Sequence, residues 1–276
     1  MSIPRIAHFY WGEKNMSFLR FATIKSFAEM NPDWDIRIYR PNTYCSKKTW
    51  TTKEHKFDID IKEDYYNKID KEMWNNVSFN EFGFNDDTPE VIKSDFFRYY
   101  ILHKYGGMWA DMDIVFFKPM DFLFGMSGNE PSTYVCYNGR YYSIGVLLSS
   151  MNNPLFKLLH NKSIDMNIKK KTTEYQSIGS SLWGNVFKDF DDISRIDNVK
   201  KIYNIPMDIF YAYDSTKINM IFQSNDMSLF SDRSIGLHWY GGSSVTKLPQ
   251  ETLVENNYYD SNTVISNVLK KTFRRA

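Results

Sequence analysis

The sequence predicts an α/β fold built on a mostly parallel central sheet, and three features of the chain point to it. Residues 3–41 run strand, helix, strand; a later helix ends at a Gly-Gly pair and feeds a long apolar segment; and strand and helix signals then continue to alternate toward the C-terminus. No repeat, low-complexity tract or Pro/Gly-rich linker interrupts the 276 residues, which are 42% hydrophobic, so residues 1–276 are expected to form one domain with a sizeable core.

The elements follow in order. IPRIAHFYW, residues 3–11, is short, apolar and rich in strand formers, and ends at Gly12 in a polar turn. Ser17 suits the N-cap of a helix in which Phe18, Phe21, Ala22, Ile24 and Ala28 keep helical spacing until Asn31 and Pro32 stop it. DWDIRIYRP, residues 33–41, then alternates, with Trp34, Ile36 and Ile38 on one face and Asp35 and Arg37 on the other. Residues 41–89 are less regular: DYYNKIDKEMW predicts a short helix, NDDTP a turn, and the stretch as a whole a flexible or acceptor-facing insertion. Thr88 and Pro89 then fit the N-cap and first residue of a helix that runs to Tyr105, with Val91, Phe96, Tyr99 and Leu102 on its core face and Gly106 ending it. MWADMDIVFF, residues 108–117, reads as one buried strand interrupted by Asp111 and Asp113. Further strands are expected at TYVCY and SIGVLLSS, helices at NPLFKLLHNK and SSLWGNVFKDF, and a final amphipathic helix at VISNVLKKTF.

Composition narrows the function classes. With 34 Lys+Arg against 33 Asp+Glu, no global field marks a nucleic-acid or membrane partner. The basic runs at Lys169–Lys171 and at Lys270, Lys271, Arg274 and Arg275 are local, and usually only solvate a surface. Two cysteines, Cys45 and Cys136, fit neither a disulfide framework nor a zinc spacing. No 18 apolar residues run together, so a soluble, unsecreted protein of the cytoplasm (a host cytoplasm if viral) is expected, without a transmembrane segment.

The chemistry concentrates between Ser94 and Asp113. Residues i and i+2 of an extended segment project to the same side, so Asp111 and Asp113 can share a target while Met112 points into packing. Hard cations such as Mn²⁺ and Mg²⁺ take carboxylate oxygens and keep positions open for phosphate, which makes a divalent ion with a diphosphate the fitting occupant. Two acids at a strand end are also a common solvated feature, and Asp-x-Asp alone is a weak motif. Asp95 and Arg98 lie one helical turn apart and can face the same cleft, or form only a helix ion pair.

The string SDFFRYYILHKYGGMWADMDI closely resembles the sugar-binding region of DXD glycosyltransferases, and specifically glycosyltransferase family 32, in the order Ser-Asp, two residues, Arg, an apolar helix, Gly-Gly, an aromatic and Asp-x-Asp. IPRIAHFYWG is similar to that family's first strand, and GLHWYGGS is the best later match. The resemblance covers about the first 120 residues and implies a Rossmann-like GT-A fold, a UDP- or GDP-sugar donor, Mn²⁺ or Mg²⁺, and retention of anomeric configuration. It implies that Asp113 binds the cation directly, while Asp111 binds it through water or holds the ribose or donor sugar. Ser94, Asp95 and Arg98 would line the donor sugar, Arg98 also steadying the diphosphate. Phe9, Tyr10 and Trp11 end the first strand where the base is expected, although Phe9 and Tyr10 suit the core equally; Trp109 suits the ribose pocket or the core. His238 would complete the cation's shell or serve only as a strand residue, and Gly241 and Gly242 would let their loop close over the diphosphate or form a simple turn. His8 matches the family's first-strand histidine and is expected to pack; His55, His103 and His160 have weaker claims. The acceptor is a hydroxyl, more readily of a glycan or lipid-linked sugar than of a hydroxymethylated DNA base. A non-catalytic carbohydrate-binding module is the alternative of another class, and a nucleotidyltransferase is disfavoured because no G-x-x-x-x-G-K-[ST] loop is present.

Overall fold

The structure, a computed structural model, describes residues 2–45, 58–128, 131–168, 176–196, 199 and 201–273. In chain order these form β1 (Ile6–Tyr10), α1 (Phe18–Met30), β2 (Asp35–Pro41), β3 (Trp74–Val77), α2 (Glu90–Tyr105), β4 (Gly107–Ala110), β5 (Ile114–Phe116), α3 (Asp121–Ser127), β6 (Thr133–Tyr137), β7 (Tyr142–Ser149), α4 (Pro154–Ile168), α5 (Ser180–Val186), α6 (Phe190–Ser194), β8 (Ile202–Asn204), α7 (Ile218–Gln223), β9 (Gly236–His238), α8 (Lys247–Thr252) and α9 (Val264–Thr272). Seven strands make the main sheet in the order β3-β2-β1-β4-β7-β6-β8, and β5 and β9 make a separate two-stranded sheet. Pairing is parallel from β3 through β2 and β1 to β4 and again between β6 and β8, whereas β7 runs antiparallel to both β4 and β6. This is the expected Rossmann-like GT-A α/β fold, with its antiparallel strand just beyond the site.

The opening β-α-β unit forms where periodicity places it. The Ser17 side chain accepts the Arg20 amide and caps α1, and the chain leaves the helix at Asn31. Residues of β1 alternate between two cores: Ala7 and Phe9 pack with Phe27, Ile36 and Ile38, while Tyr10 packs with Tyr39, Phe97 and Trp109. A third cluster joins Phe18 and Leu19 of α1 to β5, β9 and α9, so α1 is buried on more than one side.

Gly106 (φ 66°) and Gly107 (φ 89°) both adopt the left-handed region. A Cβ on Gly106 would lie 2.6 Å from the Met151 nitrogen, and one on Gly107 would strike the Ile6 carbonyl, so the pair ends α2 and lets β4 slot between β1 and β7.

Several expectations are corrected. Residues 108–117 do not form one strand: β4 ends at Ala110, Met112 and Asp113 make a turn, and β5 leaves for the second sheet. Residues 64–74 form two single 3₁₀ turns, Tyr66–Lys68 and Lys71–Met73, because Ile69 is extended and Asp70 caps a new start on Glu72. The supposed insertion contributes β3, the sheet's edge strand, while residues 46–57 of it, with His55, lie outside the described residues. Pro89 is the N-cap of α2 rather than its first residue, and the expected helix at SSLWGNVFKDF is two, α5 and α6, broken where Asp189 caps the second. The basic run at 169–171 and Arg274 and Arg275 also fall outside the described residues. No helix among the described residues is long and apolar enough to cross a membrane. Cys45 and Cys136 are both free.

Candidate active site

The site lies at the carboxyl end of β4, where the chain passes from the main sheet to the small one, and each acid of the turn has its own guanidinium. Arg98 of α2 holds Asp111: its Nη1 lies 3.3 Å from Asp111 Oδ1 and donates to the Ile144 carbonyl at 2.7 Å, while Nη2 lies 2.7 Å from Asp95 Oδ1. Its guanidinium also sits 5.0 Å over the Trp109 ring, whose Nε1 donates to the same Asp111 Oδ1 at 3.0 Å. Two donors thus fix Oδ1. Asp111 Oδ2 is turned toward Gly145 of β7, whose carbonyl accepts the Asp111 amide at 2.8 Å.

Asp113 is held from the other side of the chain. Its Oδ2 accepts the Gly241 amide at 2.8 Å and lies 3.8 Å from Arg20 Nη1, and its Oδ1 lies 3.2 Å from His238 Nε2. Pairing of β5 with β9 sets Ile114 opposite His238, and the Trp239 amide donates to the Asp113 carbonyl at 2.9 Å, so the imidazole is delivered by sheet register. Arg20 is packed between two indoles, 5.2 Å from Trp11 and 4.8 Å from Trp239, and donates to the Met112 carbonyl at 3.2 Å.

These surroundings separate the two acids. For Asp113, burial raises the pKa, but His238, Arg20 and the Gly241 amide outweigh it and hold the carboxyl well below the usual range. For Asp111, burial and the neighbouring Asp113 prevail over Arg98, and its carboxyl is pushed up. Asp95 is pushed up to about 6, by burial first and by Asp111, against the pull of Arg98. Burial lowers Arg20 despite its acidic neighbours, whereas Asp111 and Asp95 outweigh burial and raise Arg98.

Asp111, Asp113 and His238 each present one donor atom, all within 4.8 Å of one another. Two carboxylates and an imidazole form a donor set suited to a hard divalent ion such as Mn²⁺ or Mg²⁺. Asp113 Oδ1 is buried and faces His238 Nε2 at 3.2 Å, so a carboxylate oxygen and an imidazole nitrogen are turned toward each other within this group.

The remaining sequence-singled residues divide. Trp109, Asp95, Arg98 and Ser94, whose Oγ accepts from Arg98 Nη2 at 3.4 Å, form the wall behind Asp111. Arg98 is only 3% exposed and engaged with protein oxygens, so here it braces Asp111 rather than offering a free fork to a diphosphate. Phe9 is fully buried edge-on to Phe27, and Tyr10 donates to the buried Glu90 carboxylate within the α2-side core, so neither presents a ring face to a base. Trp11 covers Arg20 and donates to the Asn15 carbonyl at 2.9 Å. His8 packs between the Tyr39 hydroxyl and the Gly106 carbonyl. The Gly241 amide, expected over a diphosphate, is spent on Asp113.

Sequence patterns missed Arg20 and Gly145. For Arg20 the available signal was a cation among the apolar positions of α1; for Gly145 it was a glycine inside an apolar strand.

Residues 19–130 match the family described as the glycosyltransferase sugar-binding region containing the DXD motif. The chain is similar to inositol phosphoceramide mannosyltransferase 1 of Schizosaccharomyces pombe, 29% identical over 140 residues, a match that spans 48% of this chain and 36% of that protein. Among solved structures it is similar to the glycosyltransferase GlyE of Streptococcus pneumoniae TIGR4, with a TM-score of 0.52 at 14% identity over 99% of this chain and 61% of that one. The apo form of GlyE gives a TM-score of 0.50 at 13% identity, with the same coverage.

Proposed function

We propose that this chain, whose residues 19–130 carry a DXD-motif glycosyltransferase sugar-binding region, is a metal-dependent glycosyltransferase of the family 32 type that moves a sugar from a nucleotide-sugar donor to a hydroxyl acceptor, with residues 1–276 as its working domain. The observation that carries the proposal is the convergence of Asp111, Asp113 and His238, with the Asp113 carboxyl held well below the usual range.

In that role Asp113, Asp111 and His238 hold Mn²⁺ or Mg²⁺. When bound, the cation neutralises charge that builds on the departing nucleoside diphosphate. Arg20 and the Gly241 amide fix one oxygen of Asp113 so that the other faces the site, and Arg98 with Trp109 does the same for Asp111. Asp95 supports Arg98 from behind, and Trp11 and Trp109 cover the guanidinium groups of Arg20 and Arg98. The absence of a G-x-S-x-G elbow in the sequence agrees with front-face, retaining transfer in which the diphosphate takes the acceptor proton. A glycan or lipid-linked hydroxyl is the proposed acceptor, ahead of a hydroxymethylated DNA base.

The test is donor hydrolysis across UDP- and GDP-sugars with and without Mn²⁺. One sugar nucleotide should be hydrolysed only with metal, and Asp113→Asn should slow it by ~10²–10³-fold, the range for losing one preorganised electrostatic group. Metal-independent turnover, or an unimpaired Asp113→Asn, would refute the assignment.

A further inference from the structure

Beside the acids lies a polar group that the proposed chemistry leaves unused. Tyr211, which follows the 3₁₀ turn at Met207–Ile209, is 6% exposed, and its hydroxyl is buried with no hydrogen-bond partner among the described residues. Its ring packs 5.2 Å from the His238 ring, and its amide donates to the Met207 carbonyl at 2.7 Å, so backbone and ring are both fixed.

The hydroxyl lies against the bare face of Gly145, which a larger residue would crowd. A Cβ at residue 145 would lie 2.9 Å from Tyr211 Oη, 3.2 Å from Asp111 Oδ2 and 3.7 Å from His238 Cδ2. A phenol oxygen, a carboxylate oxygen and an imidazole edge therefore converge on Gly145, and among the described residues no side chain accepts from the phenol. A phenol ordinarily loses its proton only near pH ~10, so the group is a donor. A buried donor without an acceptor costs free energy, and a native fold that retains one has it met by a water, an ion or a ligand or uses it in function.

We infer that Tyr211 is a donor-binding residue of this site, giving its hydroxyl hydrogen bond to an oxygen of the nucleotide's diphosphate seated over Asp111 and His238. The inference rests on the glycosyltransferase proposal for its ligand. An anionic oxygen is the acceptor that fits, because it approaches the two carboxylates only in company with the cation they hold and it forms the stronger, charge-assisted type of hydrogen bond with an O–H.

The experiment is Tyr211→Phe, which removes one oxygen and leaves the ring packing in place. Thermal unfolding and calorimetric titration would be followed for wild type and variant with no ligand, with MnCl₂ alone, and with MnCl₂ plus UDP or GDP. Without ligand the variant should melt at the same temperature or higher, since it has lost an unsatisfied donor rather than a bond. Its response to MnCl₂ alone should match wild type, and its affinity for the responsive nucleotide should fall about tenfold, the loss of one hydrogen bond to a charged group. A variant with unchanged nucleotide affinity overturns the inference while leaving the metal site standing. A variant that melts well below wild type without ligand also overturns it, by showing that the hydroxyl has a structural partner. A wild type that responds to neither nucleotide in the presence of MnCl₂ overturns this inference and the glycosyltransferase proposal together.

Discussion

Arg98→Met removes the guanidinium shared by Asp95 and Asp111 while keeping most of the apolar stem. The side chains of Arg98 and Asp95 are 4% and 6% exposed, so that pair is truly buried; the Asp111 side chain is 30% exposed and water screens part of its loss. Removing one partner of a buried pair costs about 3–5 kcal/mol, because the other charge stays behind unpaired. That is the expected loss of stability at pH 8 in EDTA, read from urea unfolding by linear extrapolation.

The pH dependence is the discriminating part. With Arg98 present, the Asp95 carboxyl titrates at about 6 in the folded chain, against about 3.9 in an unfolded one. The folded state therefore binds this proton more tightly, and the group's contribution to stability is fully present below about pH 4 and is lost as pH rises through 6. Loss of Arg98 lifts Asp95 further, so acidification relieves the variant more than the wild type. At pH 5 the deficit should shrink to about 1–2 kcal/mol, the share left by the unsatisfied Ile144 carbonyl. An equal deficit at pH 5 and pH 8, or one below about 1 kcal/mol at pH 8, would show that Arg98 is not neutralising buried carboxylates.

Two further perturbations probe the other supports. In Gly241→Ala the new Cβ would lie 2.5 Å from Arg20 Cζ and 2.6 Å from Nη1, so the loop or the guanidinium must move; about 1–3 kcal/mol of stability should be lost, with weaker Mn²⁺ binding by calorimetry, and wild-type behaviour in both would show the loop to be slack. His8 is held at a pKa of about 4, mainly by burial, so its contribution is present above its unfolded value of about 6.5 and is lost as pH falls toward 4, to a total of about 3 kcal/mol; His8→Gln should flatten that part of the stability–pH curve, and an unchanged slope would refute the assignment.

The opening β-α-β unit was legible because its signals are local: a Ser17 cap, helical spacing to Asn31, and strict alternation through Ile36 and Ile38. The break at Asp111 was not. Apolar residues continue on both sides of it because β4 and β5 are each buried, in different sheets, and hydrophobic periodicity does not register a change of sheet. Strand β3 was hidden for the opposite reason, since WNNV has little apolar character and is held by pairing to Ile38, Tyr39, Arg40 and Pro41. At the site, Asp95, Arg98, Asp111 and Asp113 were singled out through the resemblance of SDFFRYYILHKYGGMWADMDI to DXD glycosyltransferases, because spacing alone leaves Asp-x-Asp a weak motif. Arg20, Gly145 and Tyr211 come from three distant elements and meet the acids only through packing.

The split between local and distant supports explains how neighbouring acids acquire opposite tendencies. Asp111 draws its positive charge from Arg98, which Asp95 also claims, and it stands close to the second negative charge of Asp113; its proton is correspondingly easy to hold. Asp113 faces Arg20, the His238 ring and the Gly241 amide, and is ionised before any ligand arrives. A cation entering this pair would find one carboxylate already charged and lodged, and a second, more exposed one whose charge its own arrival favours. The turn that breaks the strand between them makes this difference by aiming the two side chains at different supports, which residues i and i+2 of a continuous strand, projecting to one face, could not reach.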